Sequence, residues 1–217
     1  MKSVLALEVS EGTIECVAAD LAVVPVLEIE RPLRGDAGRV DWRLCGLLSR
    51  LVGGGAFTGE PGQAALLPSR GAMRAPRVLA IGLGPGRGSA VAALEVFSRT
   101  AVSRALALGV HSLVLSPVLS GRRPRISVRE GSLAVMGGAL ASLGERPAAL
   151  RLRLLVREGG IREAAGALAE ASRRVREVTV AVEIQTPEPR VVRGLLPRSG
   201  DPPTSSPPTG PRVSGPG

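Results

Sequence analysis

The chain has 217 residues, enough for one ordinary domain with or without a tail, and hydrophobic residues make up 44% of it. Its formal net charge is +9, but the basic residues are nearly all arginines scattered among acids, which favours compositional bias over a basic binding face. The aromatic residues are Trp42, Phe57 and Phe97, so base-stacking platforms are scarce and nucleic acid is not expected as a partner.

The first part of the chain predicts two strands and a helix. Runs at 3–9 and 20–29 have strand length, and the second is apolar on both faces, as a strand buried between two layers should be. Pro25 favours an edge position or a bulge for this second strand. In 31–57 the apolar residues recur with helical spacing, with Asp36 or Asp41 able to cap the helix start. These apolar residues are Val40, Leu44, Leu47, Leu48 and Leu51.

The middle of the chain predicts two strands, a long helix and a further strand. The strands lie at 62–69 and 76–84, and the alanine-rich helix at 89–109 takes Ser89 as its natural N-cap. A buried strand is predicted at 111–118.

The last folded part predicts two helices and two strands. The helix at 129–145 is expected to be interrupted by Gly137 and Gly138. Leucines alternate with arginines in 149–158, which favours a strand near the sheet edge. A helix at 162–177 and a strand at 178–186 follow.

The alternation of strands and helices predicts an α/β fold: a three-layer α/β/α domain over 1–186, with a mixed, largely parallel sheet. Residues 187–217 are rich in Pro, Gly and Ser and predict a disordered tail, in which "VVRGLL" (191–196) is a possible docking motif.

The segment "GLGPGRGSA" (82–90) follows a predicted strand and could bind a phosphate. It matches neither the dinucleotide fingerprint nor the P-loop. Backbone amides near the helix start, with Arg87 close by, could still hold an anion, whereas the alternative is a tight strand-to-helix turn. The candidate ligand-binding residues are Gly82, Gly84, Gly86, Arg87, Gly88, Ser89, Gly137 and Gly138.

No catalytic residue, metal site or cofactor is expected. His111 is the single histidine, and Cys16 and Cys45 lack metal-ligand spacing and are expected to be buried or half-buried thiols. Asp20, Asp36 and Asp41 have structural explanations at a strand start or a helix start. The basic segment "GRRPR" (121–125) is either an anion or acidic-partner contact or a solvated loop. No run of 18 apolar residues is present, so we expect no membrane span and a cytoplasmic location.

The order of these segments is similar to that of a known domain. A strand after Asp20 leads to a helix near an Asp, then to a turn with Phe57, Gly59 and Gly62, and then to a strand ending in Gly82, Leu83 and Gly84. This order resembles the N-terminal domain of the leucyl (cytosol) aminopeptidase family, most closely over residues 15–110.

The resemblance implies a macro-domain-like fold. In that family the N-terminal domain precedes a catalytic domain that holds two metal ions, and the N-terminal domain helps to build the hexamer. The metal-binding segment Asn-Thr-Asp-Ala-Glu-Gly-Arg and its companion lysine are absent from this sequence. The resemblance therefore implies a stand-alone, non-catalytic domain that acts through a protein partner or a homo-oligomer in association with, or regulation of, a peptidase. The alternative is a binding module for ADP-ribose or another phosphorylated small ligand.

Overall fold

The computed structural model describes residues 3–116, 126–145 and 148–185. Seven strands form one sheet: β1 Ser3–Glu11, β2 Leu21–Val26, β3 Ala64–Pro68, β4 Arg77–Gly82, β5 Ser112–Leu115, β6 Ala149–Val156 and β7 Val178–Ile184. The helices are α1 Gly35–Arg43, α2 Leu47–Gly53, α3 Ala90–Ala107, α4 Val128–Glu145 and α5 Ile161–Ser172, with a 3₁₀ turn at Ile14–Cys16. The predicted tail at 187–217, its motif at 191–196 and the basic segment at 121–125 lie outside the described residues.

The strand order is β3-β4-β2-β5-β6-β1-β7. β3 pairs antiparallel with β4, and the other five pairings are parallel. The carboxyl ends of the six parallel strands therefore meet at one edge of the sheet, which we call the carboxyl edge. Ligands of open α/β sheets usually bind outside such an edge.

Alternate residues of the strands enter two separate cores. Leu7, Val23 and Leu152 pack with α3, α4 and α5 on one face. Val24, Ala80 and Val114 pack with α1 and α2 on the other. Because the sheet buries apolar side chains on both faces, the predicted three-layer α/β arrangement is confirmed.

Two strand placements differ from the prediction. Pro25 lies in β2, an interior strand, in register with Ile81 of β4. Its neighbour Val26 directs its carbonyl to Leu83 on that side. Successive residues of a strand direct their backbone groups to opposite sides, so the missing N–H of Pro25 lies on the side of β5. The described pairing of β2 with β5 covers Leu21 and Ala22 and does not include Pro25.

The leucine–arginine strand β6 is also interior, between β5 and β1, and not near the edge. Its arginines are accommodated because Glu8 of β1 lies beside them, with Arg151 Nε 2.9 Å and Arg153 Nη2 2.7 Å from the carboxylate. Glu8 is only 5% exposed. The positive charge on this face of β6 is thus partly balanced by the carboxylate of the neighbouring strand.

Two helix predictions also need correction. The segment 31–57 forms two helices, because Cys45 and Gly46 adopt left-handed backbone conformations with φ of 54° and 76°. Cys45 is exposed, contrary to expectation, whereas Cys16 is half-buried. The helix α4 is continuous through Gly137 and Gly138, since its packing against α3 stabilises it there.

Candidate functional site

The strand-to-helix loop at 82–89 uses its first amides within the fold. Gly82 N–H donates to the carbonyl of Gln63, Leu83 N–H to that of Val26, and Gly84 N–H to that of Gly59, at 2.8–2.9 Å. A Cβ on Gly82 would lie 2.1 Å from the Glu60 carbonyl oxygen. The turn at 59–62 lies too close to Gly82 and Gly84 for a side chain at either position. Because the amides of 82–84 donate hydrogen bonds within the fold, they are not available to an anion.

The outer half of this loop is exposed and leads into α3. Gly86 and Gly88 have φ of 70° and 86°, conformations that favour glycine. Ser89 caps α3 as predicted, because its hydroxyl accepts a hydrogen bond from Ala92 N–H at 3.3 Å. Arg87 is exposed beside this helix start. Of the predicted anion site, Arg87 and Gly88 are therefore the exposed residues next to the start of α3 that do not take part in its cap.

Gly137 and Gly138 do not join this loop. Both lie inside α4, where backbone amides donate within the helix, and a Cβ on Gly138 would be 2.2 Å from the Glu95 carbonyl oxygen and 2.8 Å from Arg99 N. Gly138 lets α4 approach the middle of α3 closely, whereas a Cβ on Gly137 would have only an ordinary contact, 3.6 Å from the Glu95 carboxylate.

A polar pocket of about 190 Å³ lies at the carboxyl edge. Asp36, Arg39, Ser116 and Arg157 contribute its polar side chains, while Gly12, Thr13, Gly35, Leu155 and Val156 complete the lining. Burial raises the pKa of the Asp36 carboxyl, although the Ser116 hydroxyl and Arg39 partly oppose this effect. The pocket thus combines a half-buried carboxyl with two guanidinium groups.

The other sequence candidates have structural partners. Asp20 accepts hydrogen bonds from the backbone N–H groups of His111 and Ser112, at 3.2 and 2.9 Å, and so joins β2 to β5. Burial tends to raise the pKa of Asp20, but its hydrogen bonds to Ser112 and His111 outweigh this and lower it. Within 3–116, 126–145 and 148–185, no three His, Cys, Asp or Glu side chains cluster as a metal site requires.

The corner between α1 and α2 is fixed by Asp41. Its side chain accepts hydrogen bonds from both the N–H and the hydroxyl of Ser49, in the first turn of α2. Its carbonyl accepts from Gly46 N–H at 2.8 Å. Asp41 was expected as a possible cap for the helix start, and it instead caps the second helix from within the first.

This corner borders a groove of about 760 Å³ that contains Trp42, whose exposed fraction is 76%. We call it the Trp42 groove; it is lined by Pro32, Leu33, Gly38, Asp41, Trp42, Arg43, Cys45, Gly46, Ser49 and Ala72. The Arg43 guanidinium lies over the Trp42 ring, 5.3 Å from its centroid. Sequence reasoning did not select Trp42, although its place beside the stripe of Val40 and Leu44 was a usable signal.

Comparison with known proteins connects this geometry to a family. A family model aligns with a segment that begins in β2 and includes α1, α2, the turn at 59–62 and the loop at 82–89. Residues 23–123 match the N-terminal domain of the cytosol aminopeptidase family. The predicted resemblance is confirmed, and the match concerns the family's N-terminal domain and not its catalytic domain.

Solved structures of this family and of macrodomains share the fold. A mutant of tomato leucine aminopeptidase superposes with a TM-score of 0.59 and 16% identity, covering 77% of this chain and 36% of the tomato chain. The chain thus spans little more than a third of that enzyme.

Two macrodomains are similar in the same way. A mutant Oceanobacillus iheyensis macrodomain gives a TM-score of 0.61 at 13% identity and covers 77% of this chain and 93% of its own. The Trypanosoma brucei macrodomain in complex with ADP-ribose gives a TM-score of 0.57 at 19% identity, and the match covers 73% of this chain and 67% of the macrodomain chain. No curated protein sequence matches the chain significantly. Within the part of the chain that the structure describes, no helix is long and apolar enough to cross a bilayer.

Proposed function

We propose that this cytosol aminopeptidase N-terminal-type domain is non-catalytic and acts by associating with another protein chain through the Trp42 groove. The partner is a second copy or a different chain such as a peptidase. The observation that carries the proposal is the exposure of Trp42, because Phe57 and Phe97 are 2% and 0% exposed, as aromatic residues of a small domain usually are.

The exposed tryptophan offers a large gain on binding. An aromatic side chain buries on the order of 150–250 Å², so covering the 76% of Trp42 that is exposed would contribute about 3–5 kcal/mol at roughly 25 cal/mol per Å². Tryptophan is among the residues most enriched at the energetic centres of protein interfaces. A binding role therefore explains an exposure that the stability of the fold does not require.

The groove is also held in one shape before binding. Ala37 and Val40 of α1 are buried in the core, and Asp41 ties α1 to the first turn of α2. Gly38 lets the chain at 32–33 lie against α1, since a Cβ there would be 2.6 Å from the Leu33 carbonyl oxygen. Preorganisation reduces the entropy lost on association, which favours affinity.

The absence of peptidase chemistry is part of the proposal. His111 is exposed, and its backbone N–H is engaged with Asp20. We expect purified chain to leave leucyl-p-nitroanilide intact with added Mn²⁺ or Zn²⁺. Hydrolysis that is lost on mutation of the chain's own residues would contradict this part of the proposal.

Sedimentation velocity tests the association. The chain is run over a concentration series and mixed with a leucine aminopeptidase, and a faster species is expected in at least one series. Trp42→Ala should remove that species, whereas Val96→Ala, which trims a 57% exposed side chain on α3, should retain it. A species that survives Trp42→Ala, or the absence of any such species, would count against the proposal.

A second candidate function is the binding of ADP-ribose or another phosphorylated ligand at the carboxyl edge. The pocket with Arg39, Arg157 and Asp36 favours it, and the loop at 86–89 offers amides near a helix start. Thermal unfolding with ADP-ribose, ADP and inorganic phosphate tests this candidate. A ligand at 100 times its Kd adds about 2.7 kcal/mol of stability, and unchanged melting with all of them would contradict it.

A further inference from the structure

We propose that the partner of the Trp42 groove is an acidic protein segment that places an apolar side chain against Trp42. This inference rests on the proposed function and adds the chemistry of the partner to it.

The charge around the groove carries the inference. Three arginines lie at or beside it: Arg43 lines the groove, Arg50 Nη1 donates to the carbonyl of the lining residue Cys45 at 2.7 Å, and Arg70 is exposed on the turn that carries Ala72. Two nearby carboxylates, Glu15 and Asp41, offset part of this positive charge. Glu15, whose side chain is 10% exposed, lies 3.9 Å from Arg39 and 4.0 Å from Arg43. Asp41 accepts from Ser49.

The inner wall of the groove has a different chemistry from this basic rim. Pro32, Leu33, Ala72 and the Trp42 ring give it apolar surface. Interfaces commonly combine an apolar centre with a polar rim, and complementary charge at the rim sets the choice of partner. An apolar anchor flanked by carboxylates satisfies both parts of this groove.

Two other occupants fit less well. In a symmetric contact between two copies the same arginines would face each other, and like charges across an interface cost free energy. A nucleic acid would satisfy the arginines, but single-strand binding relies on several stacking aromatics, and Phe57 and Phe97 are buried. An acidic protein segment matches the charge and the apolar wall together.

A peptide-display selection tests the inference directly, because it samples many peptide sequences at once. A random twelve-residue library is selected on the full chain after depletion on Trp42→Ala. We expect the surviving peptides to be enriched in Asp and Glu around a Leu, Phe or Trp. Their affinity should fall with added NaCl, because surface charges are screened.

Matched variants then examine the arginines one at a time. Arg43→Gln should weaken the selected peptides by about three- to fivefold, the value expected when one exposed ion pair is lost. Arg104→Gln removes the same charge from α3, on the other face of the sheet, and should leave the affinity unchanged. Equal effects of the two variants would show that only net charge matters and would overturn the inference.

The outcomes separate the two proposals. Trp42-dependent peptides that are neutral or basic would overturn the acidic partner and leave the association proposal standing. Failure to recover any Trp42-dependent peptide would overturn both. Fluorescein-labelled single-stranded DNA that binds the chain, loses binding in Trp42→Ala and displaces the peptides would replace the acidic segment with nucleic acid.

Discussion

The side chain of Asp41 accepts hydrogen bonds from both the backbone N–H and the hydroxyl of Ser49, eight residues further along the chain. We expect Asp41→Ala to lower the free energy of unfolding by about 1 kcal/mol, the usual loss when a helix cap is removed. Ser49→Ala keeps the backbone hydrogen bond and should cost less. Urea unfolding measures both variants, and a larger loss in Ser49→Ala would contradict this ordering.

The approach of α4 to α3 depends on Gly138. A Cβ there would meet backbone atoms at 2.2 and 2.8 Å, so Gly138→Ala should destabilise the fold by about 1–3 kcal/mol through overpacking. Gly166→Ala is the control, since nothing lies within 4 Å of that position in α5. There we expect a gain of about 0.5–1 kcal/mol from helix propensity. Chemical denaturation compares them, and equal effects would disprove the close-packing explanation.

Glu8 balances part of the positive charge on the polar face of β6. Because its carboxylate is buried beside Arg151 and Arg153, Glu8→Ala should cost about 3 kcal/mol, as when one partner of a buried ion pair is removed. Arg151 has a side chain that is 62% exposed, so Arg151→Ala should cost less than about 1 kcal/mol. Thermal and urea unfolding measure the difference, and a mild effect in Glu8→Ala would refute the role assigned to this carboxylate.

The half-buried carboxyl of Asp36 leads us to expect an unusual pH dependence. Burial raises the pKa of Asp36 above its ordinary value of 3.8. The folded state therefore loses stability as the pH rises from 3.8 towards the raised pKa. Asp36→Asn should therefore be more stable than the parent at pH 7. The difference should vanish at a pH below the ordinary carboxyl range.

Asp20 provides the control of opposite sign. Its pKa is lowered, so its contribution is present above 3.8 and is lost as pH falls through the lowered value. Asp20→Asn should destabilise the protein at pH 7 and have less effect in acid. Melting temperatures of both variants are measured across pH. If Asp36→Asn and Asp20→Asn changed stability in the same direction at pH 7, the opposite pKa shifts of the two carboxyls would be contradicted.

Local sequence pattern predicts whether most segments are strands or helices, but it does not predict where each element lies in the sheet or what it packs against. The Ser89 cap and the long helix after it are encoded within a few residues. By contrast, β6 resembles an edge strand until Glu8, 145 residues away from Arg153, is brought beside it. Gly138 similarly looks like a helix breaker until Glu95 of α3 supplies the reason for its small size.

The candidate site was predicted less well than the fold. Gly82 and Gly84 suggest an anion-binding loop in the sequence. In the structure they leave room for the turn at 59–62, a contact that no local pattern reveals. Trp42 is one of three aromatic residues in the sequence, and this scarcity alone does not indicate an exposed position. Its exposure depends on where α1 packs, which the sequence pattern alone does not define.

Trp42 is the single tryptophan of the chain, which contains no tyrosine. Chain labelled with 5-fluorotryptophan should therefore give one ¹⁹F signal that reports on residue 42 alone. The account predicts a solvent-exposed signal in the dilute protein that shifts and becomes protected from solvent when a complex forms. A complex detected by sedimentation while this signal stays unchanged and exposed would contradict the account.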